Sequence, residues 1–132
     1  MSSILIVDDD ASVRRALQHG LRLGGYDIVL AKNGDEGIQE HRRSPVDLVI
    51  IDLFMPGKEG LETIVELRRD SPDLPIIAMS GGHLTSKSML QAANFLGADH
   101  ILQKPFDATQ LLAMVAESLH PKPQRQASAT DE

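Results

Sequence analysis

Ile4-Leu5-Ile6-Val7-Asp8-Asp9-Asp10 sets an unbroken apolar run against three consecutive carboxylates, and Leu48-Val49-Ile50-Ile51-Asp52 repeats the pattern later in the chain. Short apolar runs of about four to eight residues read as strands buried on both faces, the signature of a parallel sheet covered by helices. In such sheets ligands bind at the carboxyl ends of the strands. Two carboxylates about 4 Å apart repel by about 4 kcal/mol at an effective dielectric near 20, so acids gathered at one sheet edge need a cation or a raised pKa. The pattern predicts a metal and phosphate site where the strands stop.

Outward from these runs, the chain alternates. Val13, Ala16, Leu17, Gly20 and Leu21 recur at helical spacing, and Gly24-Gly25 supply a stop. Tyr26 to Ala31 reads as a second strand, with a weaker helix around Glu36 to Arg43 closed by Ser44-Pro45. Asp47 to Asp52 is the third strand, and the turn Met55-Pro56-Gly57 leads to a helix with Leu61, Ile64, Val65 and Arg68 on one stripe. Pro75 to Ser80 is the fourth strand, followed by Gly81-Gly82 and a fourth helix from about Thr85 to Leu96. His100 to Gln103 is a short fifth strand. Asp107-Ala108-Thr109-Gln110 resembles a capping box for a last helix with Leu111, Leu112, Val115 and Leu119 on its apolar stripe.

Five strands alternating with five helices imply right-handed crossovers, and so an α/β, flavodoxin-like doubly wound (βα)5 fold with a five-stranded parallel sheet in the order 2-1-3-4-5. The first and third strands are then neighbours, which brings Asp8, Asp9 and Asp52 to one crevice. Residues 1–120 form one domain. Residues 121–132, rich in Pro, Gln, Ser and charge, read as a disordered tail or linker.

Composition narrows the function. The 132 residues carry a net charge of -6, which argues against nucleic acid or an anionic membrane as partner of this segment. Cysteine is absent, so disulfides, thiolate metal sites and thiol nucleophiles are excluded. No apolar run approaches the roughly 18 residues of a membrane span, and Met1-Ser2-Ser3 lacks a basic leader region, so cytoplasmic residence is the expectation. The five histidines show no metal-ligand spacing and read as surface residues. Arg14-Arg15 and Arg42-Arg43 read as solvated helix faces, the first pair beside the acidic site.

Four motifs now stand in order: Val7-Asp8-Asp9, Asp52 with Met55-Pro56-Gly57, Ala78-Met79-Ser80-Gly81, and Lys104-Pro105-Phe106. Each falls at the carboxyl end of a predicted strand. Together they resemble the receiver domain of two-component response regulators, over about residues 3 to 120. The resemblance implies that Asp52 is the phosphoacceptor, taking a phosphoryl group from a sensor histidine kinase or histidine phosphotransfer protein. It implies Mg2+ held by Asp9, Asp52 and the backbone carbonyl of Phe54, with Asp8 acting directly or through a water. Lys104 and Ser80 would contact phosphoryl oxygens, and the Lys104–Pro105 peptide would be cis.

The same resemblance implies a switch formed by Ser80 and the residue three before the lysine. Many receivers carry Tyr or Phe there, whereas this chain has Ile101, so coupling is expected to run through Ser80 and the loop after the fourth strand. The output target is left open, and homodimerisation on phosphorylation is a further expectation. Catalysis would be confined to the domain's own phosphoryl transfer and dephosphorylation.

Two other readings compete. Asp8-Asp9-Asp10 after an apolar strand also suits a haloacid-dehalogenase-type phosphohydrolase, with Asp8 as nucleophile and Asp10 as acid/base. That reading leaves Asp52 and its turn without a role, and Asp10 is better explained as a helix cap. The other is a receiver-shaped binding module that takes no phosphate, which the set Asp8, Asp9, Ser80 and Lys104 disfavours.

Overall fold

The structure, a computed structural model, describes residues 2–53, 60–80, 91 and 97–119. Its elements run β1 (Ser3–Val7), α1 (Ala11–Leu23), β2 (Asp27–Ala31), α2 (Gly34–Arg43), β3 (Leu48–Asp52), α3 (Gly60–Asp70), β4 (Ile76–Ser80), β5 (His100–Gln103) and a C-terminal helix, Ala108–Leu119. The strands form one sheet in the order β2-β1-β3-β4-β5, every pair parallel. This is the expected doubly wound layout. The helix expected from about Thr85 to Leu96, the turn at Met55-Pro56-Gly57 and the tail 121–132 lie outside the described residues.

Strand side chains alternate between two cores, which is why the central strands read as continuous apolar runs. Leu5, Val7, Val49, Ile51, Ile76 and Ala78 pack with Ile38 of α2 and Ile64 and Leu67 of α3. Ile4, Ile6, Leu48, Ile50, Ile77 and Met79 pack on the other face with Leu17 and Leu21 of α1 and with Leu111 and Val115 of the C-terminal helix. Burying one Leu or Ile side chain contributes about 1.5–3 kcal/mol, so each face anchors its helices independently.

Helix starts follow local chemistry. Asp10 caps α1, its Oδ1 accepting from the Ser12 and Val13 amides at 2.9 and 3.4 Å. Asn33 Oδ1 caps α2 through the Glu36 amide at 2.8 Å, and Glu36 reaches back to the Lys32 amide at 2.8 Å. The predicted capping box is present: the Asp107 amide donates to Gln110 Oε1 at 3.0 Å, and the Gln110 amide to Asp107 Oδ1 at 2.8 Å.

Two apolar stripes differ from expectation. The buried face of α3 is Gly60, Thr63, Ile64 and Leu67 rather than the stripe through Leu61 and Val65, because buried Thr63 shifts the inward face. Ala16 and Gly20 of α1 line an open groove of about 430 Å³ with Pro105, Phe106 and Leu111. Arg68, expected on the α3 stripe, is instead a clasp. Its guanidinium donates to the carbonyls of Pro72 and Leu74, each at 2.7 Å, and also to Gly97 O and Asp99.

His41 corrects the surface assignment of the histidines, being only 5% exposed. It continues the Gly34, Gly37, Ile38 face of α2 at helical spacing. Nδ1 accepts from the Val46 amide at 3.1 Å, so the ring proton sits on Nε2, which donates to Ser71 Oγ at 2.9 Å. Burial lowers its pKa below the ordinary 6.5, opposed by nearby Asp70. The unfolded chain therefore takes up the proton first, and this contribution to stability, full above pH 6.5, is lost as pH falls toward the folded value. Urea unfolding compared between about pH 7.5 and 5.5 should show wild type losing more stability than His41→Asn. Equal losses would remove His41 as the cause.

Candidate functional site

Because the strands are parallel, their carboxyl ends share one edge. Asp8 follows β1, Asp52 ends β3, Ser80 ends β4 and Lys104 follows β5. Backbone bonds continue the ladders past the strand ends: Asp8 N–H to Ala31 O at 3.1 Å, Leu53 N–H to Met79 O at 3.0 Å, and Lys104 N–H to Ser80 O at 3.0 Å. Rigid backbone thus presents each of these side chains. The Lys104–Pro105 peptide is cis, as the resemblance implied.

Oxygens of Asp8, Asp9 and Asp52 lie within 4.8 Å of one another. Asp8 is fully buried, Asp52 is 7% exposed and Asp9 is exposed. Lys104 Nζ sits 3.6 Å from Asp8 Oδ2 and 3.7 Å from Asp52 Oδ2. Three carboxylates face one ammonium, leaving negative charge in excess.

Asp8 Oδ1 accepts from the Asp10 amide at 2.9 Å. Among the described residues, Asp8 Oδ2 and Ser80 Oγ are buried without a hydrogen-bond partner. Unpartnered buried polar atoms are costly, roughly 1–3 kcal/mol each and more when charged, and two on one site suggest a missing guest. Burial raises the Asp8 pKa above 3.8; the Asp10 amide and Lys104 oppose the shift, and Asp9 adds repulsion. An all-oxygen donor set, a buried carboxylate oxygen met only by the long ion pair to Lys104, and surplus negative charge fit a hard divalent cation.

The raised pKa has a thermodynamic sign. Folding disfavours ionised Asp8, so this residue costs stability once pH exceeds its unfolded value of 3.8. Asp8→Asn should melt a few degrees higher than wild type in EDTA, and any rise in melting temperature that added divalent cation gives wild type should be largely absent from it. A lower melting temperature in EDTA would show that the Lys104 pairing outweighs desolvation.

The edge therefore gathers Asp8, Asp9, Asp52, Ser80 and Lys104. Phe54 lies outside the described residues. Asp10 is exposed and serves as the α1 cap, also accepting from Ser12 Oγ at 2.7 Å. Its hydrogen bonds lower its pKa, Ser12 being the main cause. Ile101 pairs with Ala78 in the sheet and is half-buried against the core shared with α2 and α3. Arg14, read from the sequence as part of a solvated pair beside the acidic site, instead turns one donor inward: its Nη1 donates to the Asp8 carbonyl at 2.7 Å. Sequence reasoning did not single out Gly60, which begins α3 against the backbone of Asp52 and Leu53.

The fold and this acidic edge define a two-component signalling domain. The model of the response regulator receiver domain matches residues 4–116, and the chain belongs to that family. It is similar to the probable transcriptional regulator ycf27 of Porphyridium aerugineum, 38% identical over 88% of this chain and 47% of that protein. It is also similar to the response regulator MprA of Mycobacterium leprae (strain TN), 38% identical over 85% of this chain and 48% of that one. The chain thus spans about half the length of these curated relatives. Among solved structures, the chemotaxis protein CheY4 of Vibrio cholerae superposes with a TM-score of 0.85 at 30% identity, covering 90% of this chain and 99% of that one. No helix among the described residues is long and apolar enough to cross a membrane.

Proposed function

We propose that Asp52 accepts a phosphoryl group from a phosphohistidine on a sensor histidine kinase or phosphotransfer protein, in a Mg2+-dependent reaction. The observation carrying this reading is the convergence at one sheet edge of three acids within 4.8 Å and Lys104 at 3.6 and 3.7 Å from two of them. A carboxylate is ionised at neutral pH and attacks phosphorus without a general base. One Asp52 oxygen forms the new P–O bond, the P–N bond to the donor breaks, and its electron pair stays on the departing imidazole. The Lys104 ammonium neutralises phosphoryl oxygens, and Ser80 Oγ, buried without a partner among the described residues, donates to one of them.

Asp8, Asp9 and Asp52 would hold the Mg2+, with the Phe54 carbonyl completing the protein donors. The ion supplies charge neutralisation for the transferring group. The setting is the cytoplasm, and the phosphorylated state alters affinity for an output partner through Ser80 and the loop after β4, with Ile101 in place of an aromatic residue. Dimerisation would be one such output.

The phosphohydrolase alternative fares worse, because the Asp10 carboxylate is committed to capping α1. Incubation with acetyl phosphate and Mg2+, followed by peptide mapping of the hydroxylamine-labile group, tests the reading. The phosphoryl group should map to Asp52; label on Asp8, or steady turnover without label, would overturn it.

A further inference from the structure

Asp8 has four polar atoms, and three are fixed by partners. Its amide donates to Ala31 O at 3.1 Å, its Oδ1 accepts from the Asp10 amide at 2.9 Å, and its carbonyl accepts from Arg14 Nη1 at 2.7 Å. The Arg14 amide also donates to Asp10 O at 3.0 Å. One residue on the first turn of α1 therefore ties down both ends of the Asp8-Asp9-Asp10 turn. The Asp8 carbonyl lies in the peptide plane that carries the Asp9 nitrogen, so holding that oxygen fixes the direction in which Asp9 leaves the strand. Asp9 needs this support: its exposed carboxylate makes no hydrogen bond among the described residues, yet lies with Asp8 and Asp52 inside 4.8 Å.

We infer that Arg14 is a positioning residue for the cation seat, acting through the Asp8–Asp9 peptide rather than touching the ion or phosphate. The inference rests on the metal-dependent reading of the site. Two roles for the guanidinium predict opposite signs. As a mere permanent positive charge, it repels a cation, and removing it tightens binding. As a clamp, it holds Asp9 in register, and removing it weakens binding.

Calorimetric titration of the whole chain with Mg2+ separates them. Arg14→Gln keeps helix propensity while losing the charge and the reach to Asp8 O. Its Mg2+ dissociation constant should rise about tenfold, the scale seen when a group orienting a metal ligand is removed. Arg14→Lys, which keeps the charge and one donor, should fall between the two. The rate of phosphorylation by acetyl phosphate at saturating Mg2+ should stay near wild type, while the Mg2+ concentration for half-maximal rate rises with the dissociation constant. Unchanged or tighter Mg2+ binding in Arg14→Gln, or a rate loss that saturating Mg2+ does not restore, overturns the inference. Failure of wild type itself to bind Mg2+ would instead overturn the underlying reading and, with it, the inference.

Discussion

Asp52→Asn is expected to take no phosphoryl group from acetyl phosphate or a phosphohistidine donor, while Asp10→Asn remains labelled near the wild-type level. The amide occupies nearly the same volume, so the core beneath β3 stays packed, but it has no anionic oxygen to attack phosphorus. Loss of a nucleophile has no substitute among the neighbours. Asp8 is buried with one oxygen bonded to the Asp10 amide, and Asp9 is exposed at the rim. The drop in labelling should exceed about a hundredfold, equivalent to roughly 2.7 kcal/mol in the barrier. Label reappearing on Asp8 or Asp9 at an appreciable rate would mean that position at the sheet edge, rather than one chosen carboxylate, determines acceptance. Asp10→Asn supplies the contrast, because Asn caps helices about as well as Asp.

Gly60→Ala should be the most damaging single methyl group in the described part of the chain. A Cβ built at Gly60 would lie 2.6 Å from Leu53 Cα, and nearer still to the Asp52 carbonyl oxygen. Both obstacles are backbone, so no rotamer relieves the clash and α3 must back away from the end of β3. Ala would gain about 1 kcal/mol of helix propensity over Gly, against an overpacking cost of about 3 kcal/mol. Urea denaturation should therefore show a net loss of about 2 kcal/mol, with slower phosphorylation because the displaced backbone carries Asp52. Stability equal to or above wild type would mean that α3 can shift freely and that this close approach has no bearing on the acceptor.

Much of this was legible because the signals were local. Unbroken runs such as Leu48 to Ile51 identify strands covered on both faces, and the acids at their ends mark the edge where Asp8, Asp9 and Asp52 gather. Caps at Asp10 and Asp107 need only neighbours two or three residues away. What escaped the sequence is long-range. His41 looks like a surface histidine until Val46 and Ser71 close over both ring nitrogens. Arg14 looks solvated because its acceptor is a carbonyl, which leaves no trace in residue identity. Thr63 turned the α3 stripe because a polar side chain carries no apolar signal in the sequence, although here it is fully buried.

The Arg68 clasp and the His41 bonds share one location: both fasten segments that lead into β3, β4 and β5 at their amino ends, opposite the carboxylates. Strands of four or five residues separate the two edges by about 13–17 Å, beyond the range at which substitutions usually couple. The domain is thus divided into an anchoring end and a working end whose free energies nearly add. Substitutions can accumulate around the acidic edge while a separate set of bonds keeps the sheet closed, and stability lost at one end can be restored at the other without disturbing the carboxylates.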